Sequence, residues 1–89
     1  MNEPLRIHEL LDRYGDPVPL LDHVPRTAGE VYRDWANVPT AKSLSRRERN
    51  ERKWLAKHLQ SAASRGEIER QVVLTEDRQE YVAFNARSQ

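Results

Sequence analysis

The apolar residues of this chain change their period at Gly66, and that change decides the fold class. Before Gly66 they recur every three or four positions, the spacing that stripes one face of a helix. After it they fall at about every second position, the spacing that stripes one face of a strand. A chain of 89 residues has room for one core shared by both kinds of element, so residues 1–89 read as a single domain. The expected class is α+β, mainly α: three helices followed by a C-terminal β-hairpin.

Ile7, Leu10, Leu11 and Tyr14 form the first helical stripe. Pro4 near its start and Gly15 just past its end place helix one over residues 4–14. Asp16-Pro17-Val18-Pro19 cannot continue a helix, and Pro25 biases Val24 away from helical backbone, so residues 16–26 read as an extended connector. Leu20, Leu21 and Val24 are expected to be buried in it, as a short strand. Thr27-Ala28-Gly29-Glu30 is a capping-box pattern, and Ala28, Val31, Tyr32 and Trp35 form the next stripe. That sets helix two at residues 28–37, stopped by Pro39. A second capping box, Ser45-Arg46-Arg47-Glu48, opens the longest helix, residues 46–65, which Gly66 ends.

The alternating segments Glu67 to Leu74 and Glu80 to Asn85 flank the polar Thr75-Glu76-Asp77-Arg78-Gln79, which makes residues 67–85 a hairpin. Two strands alone are marginal in water. The hairpin is therefore expected to pack Ile68, Val72 or Leu74, Val82 and Phe84 against the helices.

A net charge of +1 conceals a strong asymmetry. Residues 1–41 carry four Lys/Arg against seven Asp/Glu, residues 42–57 seven against two, and residues 58–89 four against five. The basic segment thus holds a net +5 between acidic flanks. On a helix turning 100° per residue, Leu55, Leu59 and Ala62 define the apolar side. Arg46, Arg49, Asn50, Lys53, Lys57, Gln60 and Ser64 share about 100° of the opposite side with no acid among them. The helix's acids, Glu48 and Glu51, fall toward the core, where Glu48 already has a capping role.

This order of helix, extended connector, helix, turn, long basic helix and hairpin resembles the winged helix-turn-helix family. Thr27-Ala28-Gly29-Glu30-Val31-Tyr32 is similar to the start of the motif's first helix. Trp54-Leu55-Ala56-Lys57-His58-Leu59, continuing through Ser64-Arg65-Gly66-Glu67-Ile68-Glu69-Arg70, is similar to the passage from recognition helix into the first wing strand. The resemblance covers about residues 5–86. It implies a third helix in the DNA major groove, with Arg46, Arg49, Asn50, Lys53, Lys57 and Gln60 facing the groove and Arg78 at the wing tip. It implies a double-stranded DNA-binding protein, such as a small transcriptional regulator or an accessory factor of a phage or mobile element.

The chemistry of the basic face agrees with that implication. Arginine makes bidentate contacts with phosphate or guanine, and the carboxamides of Asn50 and Gln60 match adenine. The rival is an interaction adaptor that docks its basic helix on an acidic protein surface, a reading favoured by Glu76, Asp77 and Glu80 at the hairpin tip. No heptad is apparent, so the chain is expected to be a monomer, or a homodimer joined through helix one or the termini.

Enzyme activity is not expected. The chain has no cysteine, and His8, His23 and His58 lack metal-ligand spacing. No nucleophilic triad, paired carboxylate or Gly-rich phosphate loop stands out, so no catalytic residue, metal or cofactor is expected. Trp35 and Trp54 flank apolar stripes and read as core. With no leader pattern and no apolar run near 18 residues, the expected setting is cytoplasmic, without a membrane partner.

Overall fold

The computed structural model describes residues 3–87. The chain runs through α1 (Glu3–Tyr14), a single 3-10 turn (Val18–Leu20), β1 (Arg26–Thr27), α2 (Ala28–Trp35), α3 (Arg46–Ser64), β2 (Ile68–Leu74) and β3 (Glu80–Ala86). The strands form one antiparallel sheet in the order β1-β3-β2. The class is α+β, with a third strand that the hairpin alone does not include.

Local chemistry sets the helix limits. Both capping boxes form: Thr27 Oγ1 accepts from the Glu30 N–H while Glu30 Oε1 accepts from the Thr27 N–H, and Ser45 and Glu48 do the same. Helix α2 ends at Trp35, short of the expected residue 37. Asn37 rather than Pro39 stops it, because Asn37 adopts left-handed backbone (φ 58°) and the Val38 N–H bonds back to the Arg33 carbonyl at 2.8 Å. Helix α3 closes on Gly66 (φ 79°). There the Gly66 N–H donates to Ala63 O and the Glu67 N–H to Ala62 O, both at 3.0 Å, the full Schellman pair.

The connector departs from expectation. Of the three residues expected to be buried in it, only Leu21 is, whereas Leu20 and Val24 are exposed. The cause is local: Asp16 Oδ1 accepts from the Val18 N–H and the Leu20 N–H reaches Pro17 O, which curls the chain into a 3-10 turn and rotates Leu20 outward. The strand that follows is only Arg26–Thr27, paired with Phe84 and Ala83 of β3.

The core gathers one stripe from each helix and one end of the sheet: Leu10, Leu21, Val31, Tyr32, Trp35, Leu55, Leu59, Ala62, Ile68 and Phe84. Trp35 is a core residue, as expected. Its ring meets Tyr14 edge-on at 5.1 Å, and its Nε1 donates to Gly15 O at 2.8 Å, which satisfies the polar end of a buried indole. Trp54 is half-buried against the same cluster.

The hairpin packs through Ile68 and Phe84 as expected, with Val82 half-buried. Val72 and Leu74, offered as alternative anchors, are both exposed, at 53% and 65%. The helices cover only the base of the hairpin, so the right face of β2 runs on past the core into solvent.

Candidate nucleic-acid interface

Two stretches of chain position α3. Its apolar stripe, Leu55, Leu59 and Ala62, is completely buried, which fixes the rotation of the helix about its axis. The segment between α2 and α3 is tied down by arginine. Arg33 Nη1 donates to Pro39 O at 2.6 Å and to Lys42 O at 2.8 Å, and Arg49 Nη1 donates to Leu44 O at 3.0 Å. A long turn is thereby held in one course, and the first turn of α3 starts from a fixed point.

With that rotation set, Arg46, Arg49, Asn50, Lys53, Lys57, Gln60 and Ser64 are all exposed. Six of the seven residues singled out from sequence therefore share one helical face, and the seventh, Arg78, stands apart on the hairpin turn. Arg78 is exposed there with left-handed backbone (φ 61°).

The acids of α3 are kept off this face by specific partners. Glu48 Oε1 accepts from the Ser45 N–H at 2.8 Å, and its Oε2 lies 3.5 Å from Lys42 Nζ. The Ser45 backbone bond above all, with the nearby Lys42 charge, holds the Glu48 carboxyl below the usual range. Glu51 is buried at 4% exposure, where Tyr32 donates its hydroxyl to Oε1 at 2.7 Å and Arg47 Nε lies 3.3 Å from Oε2. Burial, and then the hydrogen bond to Glu51, push the Tyr32 phenol well above its ordinary range, so it stays a donor. The result is a helix whose exposed long face carries positive charge and carboxamides while both negative charges are neutralised locally.

Sequence placed Glu51 on the core side but did not give its partner. The signal was present: a buried carboxylate needs a donor, and Tyr32 is a core aromatic with a hydroxyl. The clamping roles of Arg33 and Arg49 carried no sequence signal, because their acceptors are backbone carbonyls brought near by the turn.

His8, His23 and His58 sit on α1, the connector and α3 respectively. Among the described residues no group of three or more His, Cys, Asp or Glu could hold a metal ion, and no helix is long and apolar enough to cross a membrane. A scan against protein-family models and searches of curated proteins and of solved structures each return no significant match.

Proposed function

We propose that this protein binds double-stranded DNA through the exposed face of α3, lying in the major groove, as a small transcriptional regulator or an accessory factor of a phage or mobile element. One observation carries the reading: Arg46, Arg49, Asn50, Lys53, Lys57 and Gln60 are exposed together while Glu48 and Glu51 are turned away and neutralised. A merely solvated charged helix has no need to sequester its acids, whereas a phosphate-facing one does, since each carboxylate left beside the backbone would repel it. The order of helices and strands supports the winged helix-turn-helix likeness on which the groove assignment rests. Lys and Arg neutralise phosphates, and the Arg forks with Asn50 and Gln60 supply base readout. With four to six phosphates neutralised, the logarithm of affinity falls with the logarithm of salt at a slope of roughly −4 to −5.

The test is substitution on this face. Arg49→Ala together with Lys53→Ala should abolish measurable duplex binding at roughly 150 mM salt and leave the circular-dichroism spectrum unchanged. A second pair, Arg46→Ala with Lys53→Ala, leaves the Arg49 bond to Leu44 in place and should act alike. Duplex binding that survives both pairs sinks the assignment.

The acidic hairpin tip favours a second reading, an adaptor that docks α3 on an acidic protein surface, because Glu76, Asp77 and Glu80 are exposed there beside the single cation Arg78. Selection from a random duplex library separates the two. An enriched site supports DNA, and no enrichment supports the adaptor.

A further inference from the structure

Strand β2 lies at the margin of the sheet; its charges, Glu69 and Arg70, are confined to its first half, and the half from Val72 to Leu74 carries none. Its register with β3 runs unbroken from Ile68↔Ala86 to Leu74↔Glu80, so it has no bulge, and residues 68–74 contain neither Pro nor Lys. Soluble proteins ordinarily protect an edge with those devices or with a very short strand. Here Val72, Val73 and Leu74 are exposed at 53%, 36% and 65% instead.

The hairpin turn tells which backbone groups face outward. The Thr75 N–H donates to Gln79 O at 2.9 Å, which makes Thr75–Gln79 a hydrogen-bonded pair. By the alternation of an antiparallel ladder, Val73 and Gln71 direct their N–H and C=O groups to β3, and Leu74, Val72 and Arg70 direct theirs to the free edge. An added antiparallel strand must match outward residue with outward residue.

We infer that the protein associates with a second copy of itself by pairing β2 with β2 about a two-fold axis at Val73, which makes one continuous six-stranded sheet. In this register Val73 meets Val73 on the axis, Val72 meets Leu74 and Gln71 meets Thr75 once on each side of it, and Arg70 comes beside Glu76, the first residue of the hairpin turn. Registers centred on Gln71 or Val72 set Arg70 against Val72 or Leu74, an apolar partner. The Val73 register alone among these matches the whole apolar triplet, and it leaves Arg70 beside the acidic turn that begins with Glu76 and not against an apolar residue. A peptide of another protein could add to the same edge, but this self-complementary order of charge and apolar groups selects a second copy. The Val73 pairing with Tyr81, itself 44% exposed, extends the apolar strip across the axis on one face. Sequence alone offers helix one or the termini for a dimer; the hairpin edge is a third surface, distinct from both. The inference rests on the hairpin and is independent of what α3 binds.

The chain has no cysteine, so an introduced one reports without background. Directly opposed residues of a non-hydrogen-bonded pair stand about 4.5 Å apart at Cα, within the range of about 4.4–6.8 Å that a disulfide spans. Residues on the diagonal, as Leu74 is to its own copy, stand about 7–8 Å apart. Under mild oxidation Val73→Cys should form a disulfide-linked dimer roughly tenfold faster than Leu74→Cys, although Leu74 is the more exposed of the two. Light scattering at roughly 100 μM should give twice the chain mass for the natural sequence and the single chain mass for Val73→Lys, with unchanged circular dichroism. A single chain mass for the natural sequence at that concentration overturns the inference. So does cross-linking of Leu74→Cys as fast as Val73→Cys.

Discussion

Helix α3 and the β2–β3 hairpin both expose chemistry that a core cannot use, but they do so for different reasons. The helix lies along the core from Glu51 to Ala62, and Leu55, Leu59 and Ala62 are fully covered. Even its surplus acid, Glu51, is drawn into that stripe and bonded to Tyr32. What remains outside is sorted by sign. The hairpin meets the core only at its base, through Ile68 and Phe84, and its outer half exposes Val72, Val73, Leu74 and Tyr81. What remains outside there includes an apolar strip, on an edge able to pair, next to the charged turn of Glu76, Asp77 and Arg78. A surface can thus be charged because the interior has selected it, or apolar because the interior does not reach it.

The largest expected effect tests the covered side of this contrast. Leu55 is 0% exposed at the centre of α3, and Leu55→Ala removes buried methyl groups and leaves a cavity. It should cost about 2–5 kcal/mol in urea unfolding, a large share of what a domain of this size possesses. A cost under about 1 kcal/mol would mean that α3 is not anchored by its apolar stripe, and the sorting of charge on its outer face would lose its cause.

The sequestered acid gives a smaller effect. Tyr32→Phe keeps the ring in the core but removes the hydroxyl that Glu51 Oε1 accepts at 2.7 Å, while Arg47 stays beside the other oxygen. Stability should fall by about 1–3 kcal/mol, the cost of a buried acceptor without its donor. If unfolding shows no loss, Glu51 has another way to reach solvent, and the helix does not depend on the core to hold its negative charge.

The same contrast explains what the sequence could tell. Helix periodicity identified the α3 stripe and, by subtraction, the face carrying Arg46 through Gln60, because a helix on a core has only one rotation that buries Leu55, Leu59 and Ala62. Both capping boxes were legible because their partners are three residues apart. Strand alternation gave the core side of β2 through Ile68 but not how far cover extends, since that depends on where α2 and α3 end in space. For the same reason Val72 and Leu74 read as anchors when they are exposed. The short strand expected around Leu20 to Val24 forms at Arg26 and Thr27 instead, since two residues carry no period and pair only where they lie beside Phe84 and Ala83. Asn37 outcompeted Pro39 as the stop of α2 through a left-handed turn that a proline-based rule does not foresee.

The smallest expected effect is the most direct check on the contrast, because it repeats the chemistry of Leu55→Ala at the uncovered end. Leu74 is 65% exposed, so truncation to Ala removes little buried surface and opens no cavity. In a Val73→Lys background, where association no longer contributes, Leu74→Ala should change unfolding stability by no more than about 0.5 kcal/mol. The two Leu→Ala changes then differ several-fold in cost for one reason, the reach of the core. A loss of about 2 kcal/mol at Leu74 would place the hairpin tip under cover within a single chain. The apolar edge would then belong to the fold, and pairing with a second copy would have no exposed surface to explain.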